Sequence, residues 1–415
     1  KFGGEGAKSN DDLQGCIDRF IASTQSSTGT PDYIKETLLH WAKTDAVFIP
    51  DGVRDSNWGN YVYEAVQSWS SFGSYYATFY DEFSYSDSDR KIVDSYIKNK
   101  LLNVNSRNMY RKEQQACDPN NLEKTINGQL NGTIAADTCG SSIWKITLAQ
   151  LLVGLRLNDE ALFKKGIENT KWQLSFFDDT GIFTSWAIKG SAAYQYSSSI
   201  PIMLGGLTEI FASIGYDFME HKLRNGLSIK EVMDRQYEIF LDPHILDSYV
   251  KKYPVDYKGT PNAVYLNSSA EEIRNENKDN LFVFVRNLPR YIDTYRADIG
   301  DSQEFERILL DQPESVSEWV AWNSLGAFQP MDPYLAYKSS IEDLCKGSPL
   351  NGEYIASWFS ASTNDDVGWE FVGSEGLIID CWKGRFEAVE DFQPEDGFMM
   401  SKALRKDLNV SVKPD

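Results

Sequence analysis

The sequence predicts a mainly α protein, an incomplete α/α toroid (a helical barrel) carrying a small C-terminal antiparallel β-sheet. Three observations support this. Apolar residues recur at helical spacing from Leu13 to about Lys338, and the helices follow one another without strand signals between them. Beyond Gly347 the pattern changes to alternating β-branched and aromatic residues punctuated by Asn, Asp and Gly. A run of helices of this kind fits a bundle, a solenoid or a closed toroid. No fixed repeat with matching residues is visible, which weighs against consensus solenoids and leaves the toroid as the expectation.

In chain order, helices are expected at Asp11 to Ser23, Pro31 to Thr44, Asp87 to Leu102, Ser142 to Leu155, Asp159 to Gln173, Ala192 to Ile214, Ser228 to Leu241, Asp279 to Arg296 and Ser302 to Leu309. Between the second and third, Tyr61, Ala65, Trp69, Phe72 and Tyr76 fall three to four residues apart, as on one face of an amphipathic helix. Ser86, Asn158 and Ser228 stand where N-caps are needed, because their side chains can accept from the free amides of a first turn. The segments GEYIASWFSAS, VGWEFVGSEGLIIDCW and GRFEAVEDF read as short strands. Three or four such strands are too few for an independent sandwich, so a sheet packed on the helical body is expected. Pro330, Pro333 and the Gly347-Ser348-Pro349 turn mark the junction, giving a toroid over residues 1–340 and a β-rich unit over 341–415.

Composition bounds the function. The 415 residues are 41% hydrophobic and 13% aromatic, enough for a large core. Charges sum to 41 − 61 = −20, and a chain that negative repels polyphosphate, so nucleic acid is not an expected partner. The longest apolar runs, such as Ile200 to Leu207, fall well short of the roughly 18 to 20 residues of a spanning helix, so no membrane span is expected. The opening KFGGEGAKSNDD reads as a mature or trimmed N-terminus, and a secreted or periplasmic location is expected. Five cysteines lack C-x-x-C spacing; Cys117 with Cys139 and Cys345 with Cys381 are the expected pairs, leaving Cys16 odd. Sequons at Asn131, Asn267 and Asn409 are given no weight, since Asn-x-Ser/Thr is common by chance.

Motifs for familiar chemistries are missing. The three histidines, His40, His221 and His244, are isolated from one another, and neither a P-loop, a G-x-S-x-G elbow nor a dinucleotide fingerprint occurs. No cofactor and no metal are therefore expected; the Asn364-Asp365-Asp366 cluster reads as solvated turn carboxylates. The informative stretch runs from Trp172 to Phe218. It holds Asp178, Asp179 and Gly181 in a loop, then Lys189-Gly190, then Tyr194-Gln195-Tyr196 opening a long apolar helix. A cation and two phenols thus meet near one helix start.

This order resembles the alginate-lyase family of polysaccharide lyases (the family 5 type), which fold as α/α toroids. The family pattern is Arg-Gly, five variable residues and the catalytic Tyr; Lys189-Gly190-SAAYQ-Tyr196 has that spacing with Lys for Arg. The family's Asn-His pair before a helical Trp falls on Gly140 and Ser141, with Trp144 kept, and Trp319-VAWNSLGAFQPMDPY resembles its closing helix and loop. The resemblance spans roughly residues 30 to 338, with motifs confined to the middle hundred.

The resemblance implies an anionic polysaccharide as partner, cleaved by β-elimination. That reaction removes a weakly acidic C5 proton once the adjacent carboxylate is neutralised, then protonates the leaving O4. Tyr196 is the expected acid, and also the base because a nearby cation favours a phenolate; Lys189 supplies that cation or binds the carboxylate. Gln195, Tyr194, Ser141, Trp144, Lys145 and Trp186 are expected to line the groove, as amides bind hydroxyls and aromatic faces stack on sugars. Arg286 and Arg290, four apart on one helix face, could hold an anionic chain or pair at the surface. A cleft with a few inward cations can be positive on an acidic molecule. Two alternatives stand beside the lyase: a non-catalytic glycan-binding or structural toroid, and a hydrolase using paired carboxylates with Asp178 or Asp179 as one partner.

Overall fold

The computed structural model describes residues 32–46, 69–70, 72–74, 76–77, 80, 83–103, 121–130, 143–213, 217–252, 260–277, 291, 296, 298, 377–380 and 385–388. The described chain is mainly α. Its helices are α1 (Asp32–Thr44), α2 (Asp87–Asn103), α3 (Leu122–Leu130), α4 (Ile143–Leu157), α5 (Glu160–Leu174), α6 (Thr184–Ala187), α7 (Ala193–Ser197), α8 (Ile200–Ser213), α9 (Ile229–Leu241), α10 (Asp247–Lys252), α11 (Asn262–Asn267) and α12 (Ala270–Glu276). Short 3-10 turns at Gly190–Ala192, Phe218–Glu220 and Pro243–Leu246 link them.

Local chemistry sets several boundaries. Ser228 and Glu231 form a full capping box at the start of α9, with Glu231 N donating to Ser228 Oγ at 3.1 Å and Ser228 N to Glu231 Oε2 at 2.6 Å. Such a cap contributes about 1 kcal/mol. Ser86 Oγ accepts from Asp89 N at 3.2 Å, in the capping role its position implies. At α5 the cap is one residue later than the sequence implied. Asp159 accepts from Leu162 N at 2.9 Å, while Asn158 takes φ +53, a left-handed conformation that Asn tolerates better than most residues. The expected single helix from Ala192 to Ile214 is divided into α7 and α8. Pro201 sits in the first turn of α8, where its missing N–H costs nothing, whereas in a continuous helix it would clash with the carbonyl of Ser197.

The core joins α1 to α2, α2 to α4 and α5, α4 to α8, and α8 to α9. The tight two-residue turn makes α4 and α5 a hairpin, and glycine sets how closely they approach: a Cβ on Gly154 would lie 2.7 Å from Phe163 N, and one on Gly166 2.7 Å from Leu151 Cγ. Trp69, Phe72 and Tyr76, expected on one helical face, are all helical and buried. Two polar side chains in the seam are linked: Asn169 Nδ2 donates to Gln150 Oε1 at 2.7 Å and Gln150 Nε2 to Leu101 O at 2.9 Å.

In the C-terminal part, Leu377–Asp380 (β1) pairs antiparallel with Arg385–Ala388 (β2), Leu377 opposite Ala388. The wider sheet expected there, the boundary near residue 340, all five cysteines and the expected helices at Asp11 to Ser23, Asp279 to Arg296 and Ser302 to Leu309 lie outside the described residues, apart from Tyr291 and Arg296.

Candidate active site

The acidic-glycine loop between α5 and α6 is a built structure. Asp178 Oδ1 accepts from Thr180 N at 2.9 Å, Thr180 Oγ1 at 2.7 Å and Ile182 N at 3.0 Å, closing the turn on itself. Gly181 takes φ +80, a conformation strained for any side chain, and a Cβ there would also press on Arg235 Cβ at 3.3 Å. Three side chains from the far side lash the loop down. Asn225 Nδ2 donates to Asp178 O at 2.7 Å, Arg235 Nε to Thr180 O at 2.9 Å and Gln236 Nε2 to Gly181 O at 2.8 Å. Asp178, the carboxylate considered for hydrolysis, therefore works as the pin of a turn.

The loop feeds α6, whose C-terminal end places the cation. Lys189 N donates to Trp186 O at 3.1 Å and Ala192 N to Lys189 O at 3.1 Å, so the backbone turns tightly on either side of the lysine. Gly190 follows at φ +57, which explains the glycine of the Lys-Gly pair in backbone terms. The Lys189 side chain is buried, 3% exposed, and its Nζ lies 5.2 Å from the centroid of the Tyr196 ring. The two residues singled out by their spacing thus meet.

Tyr196 sits half-buried at the boundary between core and solvent, and Gln195 beside it is likewise partly exposed. Trp186 backs the phenol, its ring 6.4 Å from that of Tyr196 and 5.3 Å from that of Phe183. The Trp186 carbonyl also accepts from Lys189 N, so one residue touches both members of the pair.

Other expected lining residues are placed differently. Tyr194 is buried, donates its hydroxyl to Phe240 O at 3.1 Å, and has its phenol pushed well above the ordinary range by burial. Trp144 is fully enclosed, packing on Phe183 at 6.0 Å. Both are core residues, with no ring face turned to a groove. Helical periodicity puts such side chains inside, and their motif position does not reveal it. Arg296, at the end of the segment that carries Arg286 and Arg290, is engaged in ion pairs, with Nη1 on Asp234 Oδ1 at 2.9 Å and Nε and Nη2 on Asp298 at 2.9 Å each. Ser141, Arg286 and Arg290 lie outside the described residues, and Lys145 falls in α4 with its side chain outside them.

Two features escaped the sequence reading. Three buried donors among the described residues have no acceptor among protein atoms: the indole Nε1 of Trp186, whose ring adjoins Tyr196, the indole Nε1 of Trp144, and the Ser197 hydroxyl. Separately, an open cleft of about 490 Å³ lies between the loop, α3 and α10, with Ile126, Ile182, Ile245 and Tyr249 as its apolar floor and Glu123 and Lys252 among its charged walls. Ile188 packs on Ile126 and Tyr249 behind this cleft, while the next residue, Lys189, reaches toward Tyr196. The Lys189 and Tyr196 side chains are not among the cleft's walls.

No family model and no curated protein matches this chain. Among solved structures it is similar to an alginate lyase A1-III variant complexed with a tetrasaccharide, at a TM-score of 0.42 and 14% identity over 74% of this chain and 79% of that one. At that score and identity the likeness carries no weight for the chemistry of this chain.

Proposed function

We propose that this protein is a polysaccharide lyase of the α/α-toroid kind, secreted or periplasmic, that cleaves a uronate-containing glycan by β-elimination. The observation that carries the reading is the Lys189 ammonium held 5.2 Å above the Tyr196 ring on a backbone fixed by Gly190. The Tyr196 oxygen takes the C5 proton, the C5–H electron pair forms the C4=C5 double bond, the C4–O4 bond breaks, and the leaving oxygen takes up the proton. Lys189 offsets the negative charge that develops beside the substrate carboxylate. The half-exposed Tyr196 and Gln195 are where a sugar chain would meet the pair.

Incubation with alginate, glucuronan and related polymers, followed at the absorbance band of unsaturated uronates, tests this. A rising signal that disappears in Tyr196→Phe supports the lyase; saturated reducing-end products would assign a hydrolase instead. A second reading is favoured by the burial of Lys189 and Trp186: a glycan-binding protein without turnover, recognised by binding to a polymer that stays intact.

A further inference from the structure

The sequon Asn267-Ser268-Ser269 means little as a bare pattern, because such triplets arise by chance. Its place in the fold adds what the pattern lacks. Asn267 is the last residue of α11 and is exposed. The helix has an inner face: Asn262 and Tyr265, three apart, are buried, and the Tyr265 hydroxyl donates to the Pro243 carbonyl. Ser191 Oγ donates to Thr260 O at 3.2 Å just before α11, which ties this end of the helix to the body of the protein. Val264 and Asn267, also three apart, share the outer face. Among the described residues two large apolar side chains stand in solvent, and Val264 at 48% is more exposed than Leu241 at 37%.

The Asn267 carboxamide makes no hydrogen bond among the described residues. Other asparagines are engaged: Asn225 holds the Asp178 carbonyl, and Asn277 Nδ2 donates to Ile273 O at 2.8 Å. Past Asn267 the backbone leaves the helix at once, with Ser268 at φ −75, ψ 147 and Ser269 at φ −69, ψ 158, both extended. In the folded chain the Ser269 hydroxyl caps α12, accepting from Glu272 N at 3.2 Å, which places any use of that hydroxyl by an enzyme before α12 closes.

We propose that Asn267 is an N-glycosylation site: in a secretory compartment its side-chain nitrogen receives an oligosaccharide whose first sugar lies over Val264. In the transfer, a bond forms from Nδ2 to C1 of the first N-acetylhexosamine as the C1–O bond to a lipid-linked pyrophosphate donor breaks. The proton lost from Nδ2 leaves with the pyrophosphate. Covering Val264 takes apolar surface out of water, so the glycan stabilises the fold as well as marking it. The proposal stands apart from the lyase reading and neither needs nor supports it. The sequons at Asn131 and Asn409 lie outside the described residues.

The test uses the full chain secreted from a eukaryotic host. Enzymatic release of N-glycans in heavy-oxygen water turns a glycosylated asparagine into a labelled aspartate, which mass spectrometry of the Asn267 peptide detects. The label is expected on most molecules of the wild type, none of Ser269→Ala, and most of Ser269→Thr, which keeps both the sequon and a capping hydroxyl. A secreted, folded wild-type chain with Asn267 unlabelled would overturn the site, whatever the protein does to uronate polymers. The seat of the first sugar is read by a double-mutant cycle in urea. Asn267→Gln, a change at an exposed position, should lower the unfolding midpoint of the wild type and lower it less in a Val264→Ser background. Equal shifts in the two backgrounds would overturn the contact with Val264.

Discussion

The chain from Phe176 to Ser197 walls two places of opposite chemistry. On one side is the open cleft, where cations are already engaged: Arg235 binds Glu238 and the Thr180 carbonyl, and Lys252 is likewise occupied. Among the described residues, Glu123 and Ser248 are the cleft's unengaged polar side chains, so this side offers acceptors and a carboxylate. On the other side the Lys189 ammonium lies buried against Tyr196, with buried donors at Trp186 and Ser197. The open cleft is thus the poorer place for an anionic sugar. The sign of the lining groups, more than the size of a concavity, would separate the proposed uronate site from a bystander.

The strongest way to break this contrast is at the phenol. Tyr196→Phe should cut turnover by about 10²- to 10⁴-fold, the usual contribution of a positioned proton-transfer group, with helical content unchanged by circular dichroism. Comparable loss from a cleft substitution would reverse the assignment of the two places. Next is Trp144→Ala. Since the ring is wholly enclosed, the change should cost about 3 to 5 kcal/mol by chemical denaturation. A loss of glycan affinity at unchanged stability would restore Trp144 to the groove.

A smaller effect is expected at the hairpin. Gly154→Ala drives a methyl to within 2.7 Å of the Phe163 backbone and should destabilise by about 1 to 3 kcal/mol. Stability should also depend on His221. Burial first, and the nearby Lys171 charge second, hold this imidazole well below its ordinary range. Below about pH 6.5 the unfolded chain binds a proton that the native state refuses, so stability falls as acidity rises and is fully present above that range. Denaturation of the wild type and His221→Gln at about pH 5 and pH 7.5 should show a shallower acid loss in the variant. Equal losses would mean His221 does not contribute. The smallest effect sharpens the contrast from the other side: Glu123→Gln, in the cleft wall, should leave turnover of a uronate polymer within about twofold of wild type.

Legibility in the sequence divides along the same line. Caps and spacing are local, and they placed α2 and α9 and brought Lys189 to Tyr196, because seven residues of tight turn and helix fix that distance with little help from elsewhere. The break at Pro201 was equally local and written in the sequence, but the long apolar run from Ile200 masked it. The helix Leu122–Leu130, with few apolar residues in nine, and the short helices beyond Pro243 carry too little periodicity to stand out. What local pattern could not show is which aromatic faces solvent. Tyr194 and Tyr196 are two residues apart, yet one is sealed onto the Phe240 carbonyl and the other is only half-buried. That choice belongs to α9, far along the chain. No sequence signal marks Trp186 or Ser197 as donors without acceptors, since this depends on every neighbour at once.

The central claim is that an ammonium and a phenol, brought together by this turn, cleave a uronate linkage by elimination. Proton NMR of a polyuronate digest tests it directly through the vinyl proton at C4 of the newly formed end. The wild-type protein is predicted to generate that signal and Tyr196→Phe to generate none. A digest in which the chains shorten without it, or a full signal from the phenylalanine variant, would contradict the account.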